Sequence, residues 1–240
     1  MAFGIALMLL SLLRMVYDIR QRRDGVVPKR GAWMRTWVMY WIGVVAFLGS
    51  GLPTNAAPAV HIPTSSVRYR VQLERAAGSQ WGINAPVARI AAQLHQESGW
   101  NPQARSVFAQ GLSQFTPRTA AWIPEICPSL GEPDPWDPAW SIHAAVCYDG
   151  WLLDRAPGTT TCDRWAMTLS AYNGGEVARD RERTAAYEAR DSPDRWFGQV
   201  ERYRSRSAAA WRENRNYVRR ILLVLEPAYI TAGWPGTVAC

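Results

Sequence analysis

Beyond residue 80, the apolar positions of this 240-residue chain recur at helical rather than strand intervals. Val87, Ile90, Ala91 and Leu94 fall at i, i+3, i+4 and i+7, which predicts a helix over 86–96 with one face in a core. Gly99 and the Asn101-Pro102 pair end it, because a residue before proline is pushed out of the helical region. Thr116-Pro117 opens a second helix, with proline at its first position, that runs to about Ile126. After the turn-rich stretch 128–138, Asp137-Pro138 starts a third, to about Arg155, with Ile142, Val146, Trp151 and Leu152 on its apolar side. Residues 162–172, 176–190, 193–203 and 207–225 predict four more, the first of them stopped by Asn173 and the Gly174-Gly175 pair. Strand signal is confined to 110–115. The expected fold class is mainly α.

The pattern changes near the start of the chain. Residues 2–13 form an apolar run that Arg14 interrupts, short of the roughly 18–20 residues that cross a bilayer. A basic stretch follows, and then a second apolar run, Thr36–Leu52, with tryptophans at its front end and small residues behind it. That run reads either as a signal peptide cut near Ala56 or Ala57, or as an uncleaved signal anchor. Both readings leave the basic stretch in the cytoplasm and everything after it outside, by the positive-inside rule. The expected organisation is therefore 1–35, a short apolar run with a basic cytoplasmic segment; 36–56, the signal or anchor; 57–80, a linker with a short amphipathic piece around Val67–Leu73; and 81–240, a single helical domain. The inner membrane is the expected partner of the N-terminal segment. The domain would lie in the periplasm, tethered or secreted.

Composition sharpens this. The net charge of +7 invites a nucleic-acid reading. Most of the excess, however, belongs to Arg14, Arg20, Arg22, Arg23, Lys29, Arg30 and Arg35, where it is topogenic. The arginines of 179–220 alternate with acidic residues, a pattern of solvated helix faces. No nucleic-acid partner is expected. Cys127, Cys147, Cys162 and Cys240 all follow the apolar runs, an even count that favours disulfides in an oxidising compartment, with three connectivities open. Cys127 in a loop and Cys147 on the next helix make a first guess at one pair. His61, His95 and His143 are scattered, and no cysteine spacing suits zinc, so neither metal nor cofactor is expected. Oligomeric state has no signal.

One carboxylate stands out. Glu97 sits directly beyond the helix predicted over 86–96, near its last turn, where the macrodipole disfavours negative charge and apolar neighbours resist ionisation. Those conditions make a general acid. Asp137 and Glu176 are candidates for a second carboxylate, but both occupy helix starts, where acidic residues are common.

Around Glu97 the residues form an ordered series of motifs. Glu97-Ser98 is followed by Asn101-Pro102, Ala104 and Ser106, then by Gly111-Leu112, Gln114-Phe115 and Pro117. Ala171-Tyr172-Asn173-Gly174-Gly175 comes next, and Glu213-Asn214-Arg215-Asn216-Tyr217-Val218 last. Over residues 80–226 this series resembles the soluble lytic transglycosylases, and in Trp211–Pro227 and the cysteine-terminated tail it is similar to transglycosylase-type endolysins of bacteriophages. It departs from the family pattern at Ser113, where a methionine is usual, and between Ser106 and Gly111, which is one residue short and lacks a glycine.

The resemblance implies a lysozyme-like α+β fold dominated by helices, and peptidoglycan glycan strands as substrate. Ordinary glycosidases need two carboxyl groups; the family manages with one because its substrate supplies the nucleophile. Glu97 would protonate the oxygen between N-acetylmuramic acid and N-acetylglucosamine. It would then act as base while the muramyl C6 hydroxyl attacks C1 to close a 1,6-anhydro ring. By motif position, Ser98, Gln114, Phe115, Tyr172, Asn173, Glu213 and Tyr217 would bind the sugars or hold the acid. The role the resemblance implies is that of a phage-type endolysin for host lysis; a lysozyme-type hydrolase, a housekeeping or secretion-system murein transglycosylase, and a holin-like or glycan-binding membrane protein are the competing readings.

Overall fold

A computed structural model describes residues 60–240 and the isolated residue Val16; the apolar runs and the signal or anchor expected over 36–56 lie outside the described residues. Among those residues no helix is long and apolar enough to cross a membrane.

The described chain is built from helices: α1 (Ser66–Trp81), α2 (Val87–Ser98), α3 (Pro117–Ile126), α4 (Pro138–Asp154), α5 (Thr161–Gly174), α6 (Glu176–Glu188), α7 (Ala208–Arg220) and α8 (Glu226–Thr231). Side-chain caps start four of these eight helices. Thr116 accepts the Thr119 N–H, Asp137 accepts from Ala139 and Trp140, Thr160 from Asp163, and Ser207 from Ala210. Strand pairing is reduced to two isolated antiparallel bridges, Arg105 with Gln110 and Gln110 with Phe115. Pro227 lacks the N–H that would continue the helical ladder, and a π-helical turn, Ile221–Leu225, joins α7 to α8.

Helix α2 runs through the centre. Val87 to Leu94 are all buried, polar Arg89 and Gln93 included, because α1, α8 and the π turn surround the helix. A helix enclosed on every side must pair its buried charges. Arg89 meets Glu226 at 2.6 Å, donates to the Thr237 carbonyl at 3.0 Å, and lies over the Trp165 ring at 4.6 Å. Gly99 ends α2 in the left-handed conformation, its N–H returning to the His95 carbonyl.

Three expectations need correction. Residues 66–80, read as linker, form α1, whose Tyr69, Leu73, Ala76 and Ala77 enter the common core against α4 and α2. The stretch is rich in charge and short of large apolar side chains, so alanines carry much of its buried face. Residues 193–203 are not a helix but turns closed by a 3-10 turn, Val200–Arg202. Asp163 takes the Trp196 N–H at 2.9 Å and Glu201 the Gly198 N–H at 2.7 Å, so side chains replace the helical ladder. Nor are the charges of 179–220 all solvated. Glu182 is fully buried and receives Arg206 at 3.0 Å and Arg215 at 2.8 Å.

Disulfides join Cys127 to Cys147 and Cys162 to Cys240. The first ties the end of α3 to α4; the second ties the start of α5 to the C-terminal tail. That tail runs along the start of α2, with the Pro235 carbonyl accepting the Ala88 N–H at 2.8 Å.

Candidate active site

The last turn of α2, the end of α5, the outer face of α7 and the loop 105–116 enclose a groove of about 550 Å³. Glu97 lies in it, and so do Gln114, Phe115, Tyr172, Asn173, Glu213 and Tyr217. Four sequence motifs, more than a hundred residues apart at their extremes, thus meet at one cavity. Ser98 is not among the lining residues. Its hydroxyl donates back to the Leu94 carbonyl at 3.2 Å, so it serves the end of its own helix rather than the groove.

The Tyr217 hydroxyl donates to Glu97 Oε1 at 2.5 Å. Burial pushes the Glu97 carboxyl up to about 8; the Tyr217 hydrogen bond opposes this, while Asp149, once ionised, and Glu213 add to it. At neutral pH Glu97 is therefore mainly a neutral acid with a proton to give. The hydroxyls of Tyr172 and Tyr217 are held well above their ordinary range, burial first and Glu97 next, and so remain donors.

The remaining groups build the walls. Tyr172 donates to the Ser113 carbonyl at 2.9 Å and packs on Phe115 and Tyr148, with ring centres 5.6 Å and 5.3 Å away. Ser113 is itself buried, its hydroxyl donating to the Ser141 carbonyl at 2.8 Å, so this departure from the family pattern ties the loop to α4. Gln114 adopts φ +49° and spends its amide nitrogen on the Ala104 and Gly111 carbonyls, at 3.0 and 2.8 Å. Gly111 has no alternative: a Cβ there would lie 1.8 Å from the Pro135 carbonyl oxygen.

Behind the wall, Asn173 accepts from Asn214 at 2.8 Å, and Asn214 is locked to both the hydroxyl and the carbonyl of Ser170. Arg215 continues inward to the carbonyls of Glu201 and Tyr203 and lies over the Trp196 ring. The Asn214-Arg215 pair is a buried brace for α5 and α7. Glu213 stays exposed at the rim.

Neither sequence candidate for a second carboxylate reaches Glu97. Asp137 caps α4, and Glu176 is engaged by Arg155 and Arg179, both at 3.3 Å. The sequence reading missed another acid. Asp149, fully buried on α4, accepts from Gln93 at 3.3 Å, and burial raises it to about 8. Its Oδ2 and the side-chain Oε1 of Gln93 have no hydrogen-bond partner. The signal was there: Asp149 continues the apolar stripe of Ile142, Val146 and Leu152. Tyr148, Asn216 and Arg220 line the groove as well and were not singled out.

The family model of the transglycosylase SLT domain matches residues 72–194. Among curated proteins, the chain is 33% identical over 131 residues to membrane-bound lytic murein transglycosylase F 2 of Alkalilimnicola ehrlichii, covering 54% of this chain and 27% of that protein. Membrane-bound lytic murein transglycosylase F 1 of the same organism is 32% identical over 180 residues, covering 68% of this chain and 34% of its own length. The Yersinia enterocolitica membrane-bound lytic murein transglycosylase F is 33% identical over 131 residues, 53% and 24% of the two chains. The match thus spans about a quarter to a third of each of these relatives.

Proposed function

The chain belongs to the transglycosylase SLT family, and on that premise we propose that it is a peptidoglycan lytic transglycosylase. The observation that carries the reading is the half-buried Glu97 carboxyl, raised to about 8 and hydrogen-bonded to Tyr217 in the lining of a groove. An acid of that kind protonates the glycosidic oxygen between N-acetylmuramic acid and N-acetylglucosamine as the bond to C1 breaks. The resulting Glu97 carboxylate accepts the proton of the muramyl C6 hydroxyl as that oxygen bonds to C1. The product is a 1,6-anhydro ring, Glu97 regains its proton, and no water is consumed. Tyr217 steadies the carboxylate between the two steps, since its hydrogen bond favours the charged form. Gln114, Phe115, Tyr172, Asn173 and Glu213 would bind the sugars, and Ser98 would support Glu97 from within α2.

In the finer form of this reading the domain is delivered across the inner membrane by the segment 36–56 and acts on periplasmic murein as a phage lysis enzyme. The likeness of Trp211–Pro227 to transglycosylase-type endolysins supports the lysis role. The relatives' names, membrane-bound lytic murein transglycosylases, support the membrane and the substrate. Mass spectrometry of muropeptides released from murein by the purified protein tests the chemistry: anhydro ends are expected, and reducing ends would make the protein a lysozyme instead. Lysis of cells expressing the whole chain, lost on deleting 36–56, tests the delivery.

A further inference from the structure

The loop between Ser106 and Gly111 is one of two places where the sequence departs from the family pattern, and it carries two large apolar side chains into water. Val107 is 90% exposed and Phe108 78%. Scattered apolar residues are ordinary on a surface, but this pair does not hang from a frayed strand. The Ser106 hydroxyl accepts from the N–H groups of Phe108 and Ala109, at 3.3 and 2.9 Å, and the Ser106 N–H donates to the Ala109 carbonyl at 2.9 Å. The base of the loop is held by Gly111 on the Ala104 carbonyl, 2.9 Å, and by Gln110 on the Phe115 carbonyl, 3.0 Å. The ring is thus presented on a braced turn, and Phe108 is one of the residues lining the groove that contains Glu97.

The other aromatic residues of the groove have little free surface. Phe115 is 2% exposed and Tyr217 4%, while Tyr148 and Tyr172 are half-buried and packed on each other. Phe108 alone among them is open to solvent. A pyranose ring has one face of C–H bonds, and such a face is best covered by an exposed, immobilised aromatic ring. Resting on the transglycosylase reading, we propose that Phe108 is the stacking platform for a sugar ring of the glycan strand, and that the shortened 106–111 loop sets how tightly this chain holds its substrate.

The test uses the full chain carrying Glu97→Gln, so that ligand survives, and a soluble tetrasaccharide of alternating N-acetylglucosamine and N-acetylmuramic acid as the probe. Adding Phe108→Ala should weaken binding about three- to tenfold. Phe108→Trp should keep it, and Phe108→Leu, apolar but without a ring face, should weaken it like alanine. In the active protein, Phe108→Ala should raise KM by a similar factor with kcat unchanged within about twofold, and Val107→Ala should change neither. Normal binding in Phe108→Ala, or full rescue by leucine, overturns the proposal while leaving the transglycosylase reading intact. Failure of the Glu97→Gln protein with Phe108 present to bind the tetrasaccharide overturns both.

Discussion

Tyr217 reaches across 120 positions of sequence to place its hydroxyl 2.5 Å from Glu97 Oε1. A hydrogen bond to a carboxyl group favours whichever state it serves, and a donor serves the carboxylate. The same bond that restrains the rise in the Glu97 pKa would therefore prepare the base that the proposed reaction requires in its second half. Tyr217→Phe should lower kcat by roughly 10- to 100-fold, the worth of a hydrogen bond to a charged group. It should also move the Glu97 titration to higher pH. A pH–rate profile unchanged in Tyr217→Phe would remove the tyrosine from this role.

Glu97→Gln should abolish turnover, at least about 100- to 10,000-fold for a lost general acid, and more because the same group is the base. Cleavage of purified murein measured by release of soluble muropeptides checks it, with circular dichroism to show that the helices persist. A variant retaining a tenth of wild-type activity would transfer the chemistry to another residue.

The raised carboxyls also set a stability signature. Glu97 and Asp149 both stand near 8 in the fold, above the ordinary values of 4.5 and 3.8. Between those limits the folded protein holds more protons than the unfolded chain, so the free energy of unfolding falls as pH rises from about 4 to about 8. Wild-type Tm should decline across that window. Glu97→Gln and Asp149→Asn, which stay neutral, should flatten the slope and lie roughly 2–5 °C above wild type at pH 8. Differential scanning calorimetry at several pH values reads the effect, and parallel slopes would mean that neither group is held protonated.

Activity has its own pH limb. The donor step needs protonated Glu97, so kcat/KM should fall as pH passes about 8. Burial holds the Tyr148 hydroxyl up to about 12 and those of Tyr172 and Tyr217 well above their ordinary range, so none of them titrates there. A stopped assay on murein from pH 5 to 10 gives the limb.

The Cys162–Cys240 bridge closes a separation of 78 residues and fixes the tail whose carbonyls engage Ala88 and Arg89. Replacing both cysteines by serine should cost about 2–4 kcal/mol and lower Tm by roughly 5–10 °C. Removing Cys127–Cys147, with a separation of 20, should cost less, because shorter loops restrict the unfolded chain less.

Much of the site was legible because its residues come in short motifs, three of which end or open a helix: Glu97 before Gly99, Gln114-Phe115 before Thr116-Pro117, Tyr172-Asn173 before Gly174-Gly175. Helix signals are local, so those boundaries could be read. What could not be read depends on partners far along the chain. Residues 193–203 have helical composition, yet Asp163 and Glu201 take their N–H groups. Arg215 and Glu182 look solvated by spacing, and only the fold reveals that Arg206 and Arg215 converge on one buried carboxylate. Helix α1 was set aside as linker because alanines and one leucine are a faint apolar stripe until α4 lies against them.

The strap that the C-terminal tail lays along α2 carries a consequence in time. Glu97 belongs to a helix made early, but the groups that hold this helix come late: Tyr217 on the acid, Glu226 on Arg89, Pro235 on Ala88 and Thr237 on Arg89. Such distant pairings are the slow part of folding, since the loops between them must close first. A ribosome that has released only the first helices has produced no working acid. The groove is complete only once residues 217–237 have docked along α2.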